Sequence, residues 1–152
     1  MSYKERSIWA SLAILIYIWF DYFNELTALH FAQQLTVEMV NSLLLDVVVL
    51  TIVLEIILQI IIAIIDNKNA NYSEDERDKL ISLHGSRNAY AILSIGIFLA
   101  VFYTVFPTLS TYLLPMVELP NAYKVMHLII IFSLASEIIK FLTQIFYYRR
   151  GF

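Results

Sequence analysis

Residues 42–65 read SLLLDVVVLTIVLEIILQIIIAII and decide the fold, because this stretch holds only two charged residues, Asp46 and Glu55. It exceeds the roughly 20 apolar residues that an α-helix needs to cross a bilayer. Further apolar stretches cover residues 7–23, 89–106 and 125–148. Inside lipid, a helix satisfies every backbone hydrogen bond of a single span. The pattern predicts an all-α, polytopic membrane protein with four transmembrane helices in a single transmembrane domain.

The composition agrees with a membrane protein and excludes several classes of function. Of the 152 residues, 60% are hydrophobic and 15% charged, whereas soluble domains have about 45–50% and about 25%. The absence of cysteine excludes disulfide scaffolds and thiolate metal sites. The net charge of −3 argues against a nucleic-acid partner. No glycine-rich phosphate loop or hydrolase triad pattern occurs. We therefore expect no enzyme activity, no cofactor and no metal site, with membrane lipids as partners.

Lysine and arginine are distributed unevenly among the segments that flank the spans. One side of the membrane would carry Lys4, Arg6, Lys68, Arg77, Lys79, Arg87, Arg149 and Arg150. The opposite side would carry only Lys124. Because positive charge marks the cytoplasmic side, this bias predicts that both termini and the loop of residues 66–88 are cytoplasmic.

The two halves of the chain share a short pattern, [ST]-x-x-x-E-I-I, at residues 51–57 and again at residues 133–139. A duplication would make the chain a parallel internal repeat of two helical hairpins. Chance similarity between short apolar strings is the alternative, and the sequence leaves both open.

Three charged residues, Glu55, Glu137 and Lys140, fall deep inside apolar stretches. An ionised side chain at such a depth costs about 3 kcal/mol or more. The polar positions that share helical spacing with them are Thr51 and Gln59 in the second stretch, and Ser133 and Gln144 in the fourth. Lipid cannot satisfy these two stripes, so they should face each other or a hydrated path.

The embedded charges support more than one interpretation. Glu55 and Glu137 would handle a proton or an ion in a channel or transporter, with Lys140 as a movable counter-charge. Alternatively, Lys140 forms a fixed pair with a glutamate and sets helix register, or it extends toward the headgroups. Four helices are too few to enclose a wide pore, so conduction would need a homo-oligomer.

The loop of residues 66–88 contains a second candidate site. Ser73 and Glu76 form a capping-box pattern, which predicts a short amphipathic helix over residues 74–84 that leads past Gly85 into the third span. On this helix Asp75, Arg77, Asp78 and Lys79 are candidates for docking a cytoplasmic partner. The alternative function is then a non-conducting interaction subunit or a membrane-perturbing effector. Elsewhere, we expect a surface helix within residues 24–41 and no long helix within residues 107–124.

The same loop carries a family resemblance. Residues 75–81, DERDKLI, followed by residues 87–90, RNAY, resemble a D-E-R-D…R-x-A-Y signature of small, uncharacterised four-helix prokaryotic membrane proteins. The resemblance implies a multi-pass protein of a prokaryotic inner membrane and implies no activity. The chain departs from small multidrug-resistance exporters, whose essential glutamate lies in the first helix.

Overall fold

The computed structural model of the chain describes residues 3–65, 76–106 and 120–151. Over these residues the chain forms four helices: α1 (Tyr3–Phe31), α2 (Val37–Ile65), α3 (Glu76–Val105) and α4 (Asn121–Arg150). Each helix is long and apolar enough to cross a membrane. The prediction of an all-α chain with four helices long and apolar enough to span a membrane is confirmed for the described residues. The chain divides into two compact units, residues 1–79 with 147–152 and residues 80–146.

In the first unit, α1 and α2 pack against each other. The buried apolar face of α1 consists of Leu12, Leu15, Ile18, Tyr22 and Leu26. The buried face of α2 consists of Val40, Leu44 and Val47. These positions recur every three or four residues, the spacing that keeps side chains on one side of a helix.

The connection between α1 and α2 is a tight turn, whereas a surface helix was expected within residues 24–41. The Gln34 N–H donates to Leu29 O at 3.0 Å and the Gln33 N–H donates to His30 O at 3.1 Å. Together with the left-handed backbone of Gln33 (φ 55°), these bonds form a Schellman cap that ends α1. Thr36 then caps α2, since its Oγ1 accepts from the Met39 N–H at 3.3 Å. The ends of α1 and α2 thus take up most of this segment and leave only residues 32–36 to connect them.

In the second unit, α3 and α4 approach closely at two glycines of α3. A Cβ atom on Gly85 would lie 2.8 Å from Gln144 Cγ and 3.0 Å from the Lys140 carbonyl oxygen. A Cβ atom on Gly96 would clash with Cβ and Cγ of Phe132. Ala89 and Ala100 are also buried on this side of α3. Small residues of this kind let membrane helices pack with their backbones close together.

The amphipathic helix expected over residues 74–84 is part of α3, which continues through Gly85 to Val105. Gly85 does not end the helix, and its missing side chain makes room for Gln144 and Lys140 of α4. Glu76 and Asp78 lie in the first turn of α3, where negative charge favours the helix dipole. Ser73 of the predicted capping box and residues 107–119 lie outside the described residues.

Candidate functional site

The embedded glutamate of α2 has a hydrogen-bond partner on α1. The Ser11 hydroxyl donates to Glu55 Oε2 at 3.1 Å. Ser11 is buried, with 4% of its surface exposed, and Glu55 is half-buried. Ser11 lies just before Leu12 on the face of α1 that packs on α2, so the packing of the hairpin brings hydroxyl and carboxyl together.

This pair lies well inside both helices. Glu55 is ten residues from the last residue of α2, which corresponds to about 15 Å along the helix axis. Half the thickness of a bilayer hydrocarbon core is also about 15 Å. Across residues 3–65, 76–106 and 120–151, no Lys, Arg or His side chain pairs with Glu55. The carboxyl is therefore stabilised by a neutral hydroxyl and not by a counter-charge.

The embedded charges of α4 pair with each other. Lys140 Nζ donates to Glu137 Oε2 at 3.0 Å across one helical turn. Nζ also lies 5.5 Å from the ring centroid of Phe141. Of the roles that the sequence leaves open for Lys140, this arrangement matches the pairing of Lys140 with a glutamate, here Glu137 of the same helix. Glu55 and Glu137 belong to different units, and each has its own partner.

The polar residues of each predicted stripe, one on α2 and one on α4, differ in how deeply they are buried. Thr51 and Glu55 are half-buried, whereas Gln59 is exposed. A step of four residues turns a helix by about 400°, so each step drifts by about 40° and two steps by about 80°. Within α4, Gln144 is buried at 7% exposure against Gly85. Gln59 and Gln144 therefore have different roles, one on a surface and one in a helix contact.

Arg77 and Asp78, two of the residues predicted to dock a partner, form contacts with other residues of this chain. The Tyr148 hydroxyl donates to Asp78 Oδ1 at 2.7 Å, and Lys4 Nζ lies 3.5 Å from Asp78 Oδ2. The Arg77 guanidinium donates to the Tyr148 carbonyl oxygen at 3.4 Å and lies 6.0 Å from the Tyr148 ring centroid. Lys79 is exposed, and Asp75 lies outside the described residues.

A second ion pair lies in the same unit, between the start of α1 and the end of α4. Arg149 Nε lies 3.6 Å from Glu5 Oε1, and the Arg149 guanidinium lies 5.6 Å from the Trp9 ring centroid. Together with the contacts of Asp78, this pair brings the starts of α1 and α3 and the end of α4 to one place. We call the residues Lys4, Glu5, Arg77, Asp78, Tyr148 and Arg149 the helix-end cluster.

Sequence reasoning missed Ser11, Lys4 and Tyr148 as partners of predicted site residues. The signal for Ser11 was present, since it is a polar residue on the apolar face of the first span. Lys4 was counted only as a topology signal, and Tyr148 only as the last residue of the fourth apolar stretch. Their partners are more than 60 residues away along the chain, so no local pattern joins them.

The start of α4 buries two further polar residues, Lys124 at 8% and His127 at 3% exposure. His127 Nδ1 lies 2.8 Å from the Tyr123 carbonyl oxygen one turn earlier. Over the described parts of the chain, no group of three or more His, Asp or Glu side chains is arranged to hold a metal ion.

No protein-family model, curated protein or solved structure matches this chain. The resemblance of residues 75–90 to small prokaryotic membrane proteins therefore stays a prediction. Beyond the class of multi-pass membrane protein, its function has to be inferred from its own residues.

Proposed function

We propose that this chain is a small channel- or transporter-like membrane protein that moves a proton or a small cation, and that Glu55 is the group that binds and releases it. The observation that carries the proposal is the Ser11–Glu55 hydrogen bond of 3.1 Å within the α1–α2 hairpin. It places a carboxyl at mid-helix with a hydroxyl ligand and no paired cation across the described segments of the chain.

The Ser11–Glu55 arrangement favours reversible binding and release of a proton or a cation by the Glu55 carboxyl. In lipid, an ionised carboxylate costs about 3 kcal/mol or more, so the neutral protonated form or a cation-bound form is favoured. When water reaches the site, the carboxylate is solvated and releases its proton or cation. A permanent counter-charge would stabilise the ionised carboxylate without a bound proton or cation. Glu55 has no such counter-charge among the residues described.

Glu137 is the second glutamate of this proposal, with a different role from Glu55. Its charge is balanced by Lys140 at 3.0 Å, so it takes part in transport only when Lys140 moves away. Glu137 therefore modulates the path, and Glu55 carries the transported species.

In this proposal both termini and the segment between α2 and α3 face the cytoplasm of a prokaryotic cell. Two observations support the orientation. Eight of the nine flanking lysines and arginines belong to the side that holds the termini, which is the cytoplasmic side by the positive-inside rule. The helix-end cluster joins the starts of α1 and α3 to the end of α4.

Ion flux into liposomes tests the proposal directly. The purified protein is reconstituted with a pH-sensitive dye inside, and a potassium potential drives proton entry, with parallel assays for Na⁺ and K⁺. Glu55→Gln is expected to reduce flux nearly to that of protein-free liposomes. Ser11→Ala is expected to give an intermediate rate, because the carboxyl loses its hydroxyl donor but stays in place.

Asp46→Asn is the matched control, since Asp46 is an exposed acid on the same helix and should leave flux unchanged. Glu137→Gln is expected to change the rate less than Glu55→Gln does. Absence of flux for all three ions in the wild-type protein, or equal flux in wild type and Glu55→Gln, would overturn the proposal.

A further inference from the structure

One face of α2 carries an exposed heptad pattern. Its members are spaced alternately four and three residues apart and are Leu45, Val49, Ile52, Ile56, Gln59 and Ala63. We call this set the α2 stripe. The four apolar residues from Leu45 to Ile56 are each more than half exposed. A repeat of this kind is the pattern by which helices of two chains pack along a common seam.

The α2 stripe is distinct from the surface of α2 that packs on α1. The α1-facing surface contains Val40, Leu44 and Val47. Val47 and Ile52 are five residues apart, which places them about 140° apart around the helix. A second helix can therefore pack on the stripe while the α1–α2 hairpin and the Ser11–Glu55 bond stay intact.

Gln59 is the one polar member of the stripe, and lipid cannot satisfy it. It lies six residues from the last residue of α2, or about 9 Å inside the helix end. No hydrogen bond reaches Gln59 from any residue within the described ranges 3–65, 76–106 and 120–151. A primary amide in hydrocarbon without a partner is costly.

The chemistry of Gln59 indicates what covers it. A glutamine side chain carries both a donor NH₂ and an acceptor carbonyl, so it is complementary to a second copy of itself. Copies of one membrane protein insert with the same topology, so a twofold axis along the membrane normal makes their α2 helices parallel and aligns equal positions. A single polar residue in an apolar heptad also selects one register.

We propose that two copies of this chain associate through a parallel α2–α2 contact along the stripe, with the two Gln59 amides hydrogen-bonded to each other. The dimer stands independently of the transport proposal, because the stripe contains neither Glu55 nor Ser11. It is also one form of the homo-oligomer that the transport hypothesis expects.

Cysteine cross-linking of the full chain in its membrane tests this contact. The protein contains no cysteine, so single substitutions report one position each. Val49→Cys, Ile52→Cys and Ile56→Cys lie on the stripe. Leu50→Cys, Val53→Cys and Ile57→Cys are matched controls, since each is an exposed apolar neighbour one residue away. Copper–phenanthroline oxidation should yield disulfide-linked dimers at the first three positions and few at the controls.

The role of Gln59 is measured in the Ile56→Cys background. Gln59→Leu is expected to reduce the dimer yield about three- to tenfold, the range that polar contacts between membrane helices provide, and Gln59→Asn should retain most of it. Co-expression of two differently tagged copies should place both tags in the cross-linked band.

Three results would overturn the dimer: no cross-linking at any stripe position, equal yields at stripe and control positions, or a cross-linked band without the second tag. A normal dimer with equal flux in wild type and Glu55→Gln would overturn only the transport proposal, and a missing dimer with Glu55-dependent flux would overturn only the dimer.

Discussion

Glu137 and Lys140 show how two charges are tolerated on one membrane helix. Their side chains are 47% and 31% exposed, and their charged atoms are 3.0 Å apart. Because they are three residues apart on one helix, they are neighbours before any tertiary contact forms. The pair carries no net charge, which lowers the cost of placing either group in hydrocarbon.

Removing one member of this pair should harm the protein more than removing both. Lys140→Gln leaves Glu137 as an uncompensated charge and is expected to destabilise the protein by about 2–3 kcal/mol. The double variant Glu137→Gln/Lys140→Gln should recover most of that loss. Thermal unfolding in detergent, monitored by size-exclusion chromatography, ranks the variants by stability.

Lys79→Gln is the control for a lost lysine, because Lys79 is exposed at the start of α3. If the double variant is no more stable than Lys140→Gln alone, loss of the ion pair with Glu137 does not explain the lower stability of Lys140→Gln.

At the scale of helices, the close packing of α3 on α4 requires that Gly85 and Gly96 have no Cβ atom. The position of a Cβ on Gly96 is already occupied by Cβ and Cγ of Phe132. Because Phe132 Cβ is attached to the backbone, no rotation of that side chain relieves the clash. Gly85 tolerates a Cβ slightly better, since one of its neighbours is the flexible Gln144 side chain.

Gly96→Ala is therefore expected to destabilise the protein by about 1–3 kcal/mol through overpacking. This direction is opposite to the helix propensity of alanine, which would stabilise a helix interior by about 1 kcal/mol over glycine. Ile97→Ala is the control, because Ile97 is the adjacent exposed residue. A rise in melting temperature for Gly96→Ala would contradict the close approach of α3 and α4.

The helix-end cluster is the feature that joins distant parts of the chain. Asp78 of α3 accepts a hydrogen bond from Tyr148 of α4 and pairs with Lys4 of α1. These contacts use the residues that a docking function would need. They weaken the hypothesis that the start of α3 binds a cytoplasmic partner through Arg77 and Asp78, and they leave Lys79 available to the surroundings.

Tyr148→Phe removes only the hydroxyl that bonds to Asp78, so its effect isolates that contact. We expect a loss of about 1–2 kcal/mol, since the acceptor is a carboxylate but the site is partly solvated. Tyr90→Phe is the matched control, because Tyr90 is 73% exposed on α3. Equal melting temperatures for both variants would show that the cluster contributes nothing to stability.

Most of the fold was predictable because a bilayer leaves few choices. Long apolar stretches must become helices, so all four helices were expected, although α1 begins and ends several residues beyond its predicted span. The Glu137–Lys140 pair was predictable as one of three alternatives, since it lies within one turn. The continuous α3 was missed, because Gly85 ends a helix in many soluble proteins but here serves a close helix contact.

The sequence by itself determined the four long apolar helices of the described residues and the positions of the embedded charges along them, because hydropathy and helical spacing are local properties. The Glu137–Lys140 pair is local as well, but only the tertiary structure decided which residues of other helices contact Glu55, Gln144 and Asp78. Ser11 with Glu55, Gln144 with Gly85, and Asp78 with Lys4 and Tyr148 are contacts between different helices. The rotation of each helix about its axis selects them, and that rotation is set by packing against a partner helix.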